Sequence, residues 1–385
     1  MKETLSFDET LMSSLNTKIT VSKWDETKEA YDQKQYKDVI LNLFDYLDLD
    51  IRKKYGNTDE TYFKIPHGSI IVEINITNTH FNVKAPFLKV GENQKIPLYR
   101  KIAEVNFSPL NLSQIKLDDG QLNFLYSTPL HLCEPLKIYY VLKEICHNAD
   151  NFDDEFISLF DVEQLHDPHI ENYSQEILDT IWEKFNSYLK EADQYIEHFD
   201  QTRVGYFNWD IINITLKRID YLMAPHGKLR TDIENQVNDL YSQGDMQDRI
   251  QRGKRFLDTL KNKSKEELLA DFYISESFVP TKMRSELEHI KQSWERPYEN
   301  AKKEIQNKQY TAATLTLLVA FYDFYYYNNI PEDINLKMVN SLKNAAGKEW
   351  EASALSLFNG MESILNNKAV QTSTPKKGFF SKLFG

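Results

Sequence analysis

The strand-like hydrophobic period disappears from this chain after about residue 167, and that loss limits its fold more than any other feature. Between residues 69 and 126 short β-branched runs alternate with turns, whereas beyond about residue 167 apolar residues recur only at every third and fourth position. Strands mixed with helices, then helices alone, predict an α+β domain with an antiparallel sheet followed by an all-α helical domain.

In the first part, Tyr36, Val39, Ile40, Leu43, Phe44, Leu47 and Ile51 share one helical face, and Gly56-Asn57 ends it. The run 69–76 turns at Asn78-Thr79 into 80–84, a hairpin. Pro97 opens a short helix faced by Leu98, Ile102 and Val105. Strands at 115–117 and 122–126 join through Asp118-Asp119-Gly120, a strong hairpin signal. Pro135 starts a further helix faced by Ile138, Leu142, Ile145 and Ala149. The order is helix, two or three strands, helix, two strands, helix, which predicts helices on one face of the sheet. The expected domains are a polar leader 1–25, an α+β domain 26–165, a helical domain 166–366 and a linker with tail 367–385.

In the second part, Ile177, Ile181, Phe185, Tyr188, Ala192, Ile196 and Phe199 mark a long amphipathic helix, and comparable series follow to Ile364. The most apolar window, 311–327, contains Asp323 and four Tyr. It is shorter than the ~20 residues that cross a bilayer, so it reads as a buried helix. One faint echo exists: Lys34-Gln35-Tyr36 recurs as Lys308-Gln309-Tyr310. Chance or shared helix chemistry accounts for two such copies better than duplication does.

Chemistry is thinly represented. Lys and Arg number 46 against 58 Asp and Glu, a net charge of −12, which argues against general nucleic-acid or anionic-membrane binding. Neither phosphate-loop glycine pattern occurs, nor a GxSxG elbow. Cys133 and Cys146 have no CxxC spacing and read as reduced structural thiols of a cytoplasmic protein; the N-terminus lacks the apolar stretch of a signal peptide. His166-Asp167-Pro168-His169, with Glu163 and Glu171, is the densest metal-like cluster, but a Pro-containing loop reads better as a solvated linker. Asp153-Asp154-Glu155 reads as a solvated helix start. Arg249, Arg252, Lys254 and Arg255 read as a salt-bridged helix face against Asp245, Asp248 and Asp258. No catalytic residue, metal ligand or cofactor is expected.

Four segments carry a resemblance: HFNVKAPFLKV (80–90), PLYRKIAEVNF (97–107), IKLDDGQLNFLYSTPL (115–130) and LKEICHNADNFDDEF (142–156). Over about residues 26–160 the chain resembles the YbjN-like branch of the type III secretion chaperone fold. That resemblance implies a bacterial, often dimeric α+β sandwich that binds extended segments of partner proteins without chemistry of its own. The helical half is not part of it. An extended partner can pair with a sheet edge or lie on a free face. The alternate strand positions Ile71, Glu73, Asn75, Phe81, Val83 and Phe124 are the candidate contacts.

The end of the chain holds a second candidate. After a polar linker, Phe379, Phe380, Leu383 and Phe384 would share one face of a short helix, flanked by Lys376, Lys377 and Lys382. Tethered aromatics call for a receiver: a groove on a partner, this protein's own sheet, or a membrane surface held weakly by one turn and three cations. A docking peptide for a partner is the preferred choice.

The expected function is a cytoplasmic, non-enzymatic chaperone or adaptor whose partner is another protein, with no nucleic acid, no transmembrane segment and a dimer allowed. Its rivals are a structural subunit of a larger bacterial assembly and a metal-dependent hydrolase near His166 and His169.

Overall fold

Two consecutive positive-φ residues, Asp119 (φ 47) and Gly120 (φ 75), form the two-residue turn whose twist matches a β-hairpin. They join β4 (Gln114–Asp118) to β5 (Gln121–Pro129). The structure, a computed structural model, describes residues 3–11, 19–20, 22–166, 170–280, 282–285 and 287–366. These fall into two compact units, one within Glu9–Met283 and the other within Met1–Asp8 and Arg284–Gly385.

The first unit begins with α1 (Ser22–Asp32), α2 (Tyr36–Leu47) and α3 (Ile51–Tyr55). The single helix expected over 36–51 breaks at Asp48, which is extended (φ −161) and whose carboxylate accepts the Asp50 N–H at 2.9 Å. Next come β1 (Tyr62–His67), β2 (Ile70–Ile76), β3 (His80–Val90) and α4 (Lys95–Phe107), then β4, β5 and α5 (Pro135–Leu159). Glu134 caps α5 by accepting the Leu136 and Lys137 N–H groups, and Pro135 occupies the first helical position.

The strands form an antiparallel sheet in the order β1-β2-β3-β5-β4, with β6 (Val162–Gln164) also pairing with β3. α5 packs across β2, β3 and β5, and α4 packs on β4. One face of the sheet is therefore core: Phe63, Ile74, Phe81, Val83 and Phe124 are buried there with Phe44, Leu142 and Phe156. Asp153 lies inside α5, not at a helix start. It is buried and accepts the Ser69 hydroxyl, while Glu155 pairs with Lys101 at 2.8 Å.

The chain then leaves through β7 (Ile170–Asn172) and returns through β8 (Tyr273–Ser275), its antiparallel partner. Between them lie α6 (Gln175–Gln201), α7 (Asn208–Met223), α8 (Gly227–Leu240), α9 (Met246–Lys261) and α10 (Lys265–Leu269). After β8, the Glu276 carbonyl accepts the Gly68 N–H, the Phe278 N–H donates to His67 Nδ1, and Phe278 and Val279 enter the sheet's core. The shift from strands to helices near residue 165 thus falls inside this unit. The basic face of α9 pairs with other helices: Arg252 with Asp239 and Lys254 with Asp200, both at 2.7 Å.

The second unit contains α11 (Leu287–Gln306), α12 (Tyr310–Tyr327), α13 (Glu332–Ala345) and α14 (Trp350–Leu365). α12 is the apolar window. It packs on α11 and α14, and Leu315, Leu317, Leu318, Phe321 and Phe324 are buried. Among the described residues no helix is long and apolar enough to cross a membrane. The Lys-Gln-Tyr echo has a shared local cause. Lys34 (φ 61) and Lys308 (φ 58) each end a helix in the left-handed conformation, and the following Gln N–H bonds back five residues, to Ala30 and Glu304.

Candidate functional site

Alternation along a strand sends every second side chain to the face opposite the core, and the register aligns those side chains into rows. One row runs Tyr62, Asn75, Asn82, Ser127 across β1, β2, β3 and β5; the next runs Lys64, Glu73, Lys84, Leu125, Gln114 and reaches β4. Among the described residues no helix covers these positions as α5 covers the other face, and all of them but Lys64 border a concavity of about 640 Å³. The surface is polar. The Ser127 hydroxyl donates to Asn82 Oδ1 at 2.7 Å, and Asn82 Nδ2 reaches the Asn75 carbonyl at 3.4 Å. Lys64 pairs with Glu73 at 3.1 Å, and the Glu73 carboxylate holds the Lys64 ammonium above its ordinary range. Lys84 lies 3.7 Å from Asp118, and Lys116 makes no ion pair among the described residues.

The Lys84–Asp118 pair spans two rows and passes over the one between them, where Asn123 sits opposite Lys116. Asn123 is fully buried, although it belongs to the open face. Its Nδ2 donates to the Gln121 carbonyl at 3.0 Å, and its Oδ1 has no partner among the described residues. An unpaired buried acceptor costs about 1–3 kcal/mol, a local cost to stability at this end of the sheet.

Both outer edges of the sheet are capped by side chains. On β4, Asn106 of α4 donates its Nδ2 to the Ile115 carbonyl at 2.9 Å and accepts the Ile115 N–H through Oδ1 at 2.7 Å. That single amide takes both outward groups of Ile115, as a neighbouring strand would. On β1, the Asn57 N–H donates to the Tyr62 carbonyl, and Asn57 Oδ1 accepts the Tyr62 N–H. The next outward positions are Lys64 and Pro66, a charge and a residue without an N–H, both familiar protections of edge strands. The loop entering β4 is held by Glu144 of α5. Its carboxylate accepts the N–H groups of Asn111, Leu112 and Ser113 at 2.7–3.0 Å and the Ser113 hydroxyl at 2.8 Å.

The six strand positions expected to meet a partner divide between the faces. Ile71, Glu73 and Asn75 lie on the open face; Phe81, Val83 and Phe124 are 0–2% exposed under the helices and are core residues. The register explains the split. It pairs odd-numbered residues of β2 with even-numbered ones of β3, so the open face continues through Asn82 and Lys84, not Phe81 and Val83. The face residues missed from sequence are Tyr62, Asn82, Lys84, Gln114, Lys116 and Ser127. Counting parity across the Thr77–Thr79 turn, where the Thr77 N–H meets the His80 carbonyl, would have found those of β3. Edge pairing, the other expected route, is closed at Ile115 and Tyr62.

Among the described residues the remaining candidates give no second site. Cys133 is buried and desolvation pushes its thiol up to about 12, so it is inert at neutral pH. Among the described residues no three His, Cys, Asp or Glu are grouped to hold a metal ion. His169 lies outside the described residues, as do the tail positions Lys376, Lys377, Phe379, Phe380, Lys382, Leu383 and Phe384. In comparisons with known proteins the chain matches no family model, no curated protein and no solved structure.

Proposed function

We propose that this protein is a non-enzymatic chaperone or adaptor that takes a segment of a partner protein on the open face of its antiparallel sheet. The observation that carries this is a concavity of about 640 Å³, lined mostly by polar side chains and covered by no helix among the described residues, beside edge strands capped at Ile115 and Tyr62. Capped edges disfavour partner recognition through main-chain strand addition and direct it to side chains. The Asn75, Asn82 and Gln114 amides each offer a donor and an acceptor to peptide groups. The row from Tyr62 to Ser127 spans three strand spacings, roughly 14 Å, the length of about four extended residues. The Phe-rich tail is a second dock in this reading, and the YbjN-like resemblance over about residues 26–160 agrees with it.

Affinity capture from a native lysate tests the proposal. Full-length protein is compared with Asn75→Arg/Asn82→Arg and with a version ending at Asn367. The expected result is one stoichiometric partner, lost from the double variant and weakened by the truncation. Unchanged capture by the double variant would overturn the sheet-face assignment, and no partner from the full-length protein would overturn the adaptor itself.

A further inference from the structure

After β8 the chain passes the β1–β2 turn as a short strap, 276–279, and its hold there is built around one imidazole. The Gly68 N–H donates to the Glu276 carbonyl at 3.0 Å, the Tyr55 hydroxyl to the Glu276 carboxylate, and the Phe278 N–H to His67 Nδ1 at 3.0 Å. Phe278 is buried, with its ring 5.9 Å from that of Phe44. Among the described residues beyond β6, only Phe278 and Val279 belong to the sheet's core. The strap is therefore a piece of the core whose backbone is fastened by a titratable side chain.

His67 is itself buried, at the end of β1 where Gly68 (φ 53) turns the chain into β2. An imidazole that accepts at Nδ1 is neutral and carries its proton on Nε2. A second proton can bind only at Nδ1, where it meets the Phe278 N–H, donor against donor. The titratable groups bound into the same turn include Glu276 of the strap, Tyr55 of α3 and, through the Ser69 hydroxyl, Asp153 of α5; Asp48 acts on Tyr55 through space. Burial, and then the bond to Glu276, raises Tyr55 above its ordinary range, so it stays a donor at acid and neutral pH. The two carboxylates attract an imidazolium, yet neither returns an acceptor to Phe278. A doubly protonated His67 and a closed strap are incompatible at this bond.

We propose that His67 is a proton-operated latch: when it takes up a proton, the strap leaves the β1–β2 turn and Phe278 is withdrawn from Phe44. This does not depend on what the sheet face binds. With the strap open, His67 is an ordinary imidazole that titrates near pH 6.5, whereas the closed strap refuses the proton. The opening constant therefore rises about tenfold for each pH unit below that value and is level above it. Hydrogen exchange of the full-length protein, followed at the strap amides from pH 7.5 to pH 5 and corrected for intrinsic exchange, reads this directly. Protection of the Phe278 amide is expected to fall about 30-fold over that range, while that of the β5 amides holds. His67→Asn, whose Oδ1 accepts in place of Nδ1 without titrating, is expected to abolish the fall. Tyr55→Phe is expected to lower protection at every pH and keep the slope, which separates His67 from Glu276. Ring-nitrogen NMR of the wild type at neutral pH, which needs no variant, is expected to find the His67 proton on Nε2. Protection independent of pH, a wild-type slope in His67→Asn, a slope lost in Tyr55→Phe, or a proton on Nδ1 would each overturn the latch.

Discussion

The two faces of the sheet are made by the same strands, often by adjacent residues, yet they are opposite in chemistry. Phe81, Val83 and Phe124 lie beneath α5, while Asn82, Lys84 and Leu125, each one position along, face the concavity. Alternation guarantees two faces; what differs is that one is covered. The covered face pins side chains by packing, whereas the open face holds its polar groups by short-range pairs such as Ser127–Asn82 and Lys64–Glu73. Stability should therefore reside on one side and recognition on the other.

Phe124→Ala is the largest test of that division. It removes a fully buried ring packed 5.1 Å from Phe87, and a loss of about 3–5 kcal/mol in urea unfolding is expected. Glu144→Ala comes next. It strips three backbone N–H groups and a hydroxyl of their acceptor, at a cost of about 2–3 kcal/mol, and loosens the loop leading to β4. Asn106→Ala uncovers both outward groups of Ile115. About 1–2 kcal/mol should be lost, and light scattering should report concentration-dependent association through the freed edge.

Lys143 sharpens the comparison by pH. It is half-buried on α5, and desolvation holds its ammonium below the ordinary lysine range. The unfolded chain thus binds the proton more tightly than the folded one. The resulting destabilisation is complete below the folded pKa and fades as pH rises through the ordinary lysine value of about 10.4. Lys143→Met should be more stable than wild type at neutral pH, with the gap narrowing toward that value in paired melts. The smallest effect belongs to the open face. Asn82→Ala should change stability by no more than about 0.5 kcal/mol while still reducing partner capture.

Much of the local structure was legible in the sequence because it depends on contiguous residues. Asp118-Asp119-Gly120 specified its own turn through two positive-φ positions, Pro135 marked the start of α5, and the 311–327 window proved to be the buried α12. β1 was harder to read because Pro66 and Lys64 weaken a strand pattern; at an edge they are what makes the strand safe. Asp153 was misread for a related reason. Three acids in a row look solvated until Ser69, 84 residues away, supplies a donor.

The sequence by itself determined the α+β character of the first part, the helical character of the rest, the turns and most element starts, since each follows from local periodicity and backbone preference. Only the tertiary structure decided which side of each strand is covered. Register is a relation between strands, and one residue of parity moves every side chain to the other face. It also decided that the edges are capped at Ile115 and Tyr62, because Asn106 and Asn57 act on backbone groups that no pattern within β4 or β1 reveals.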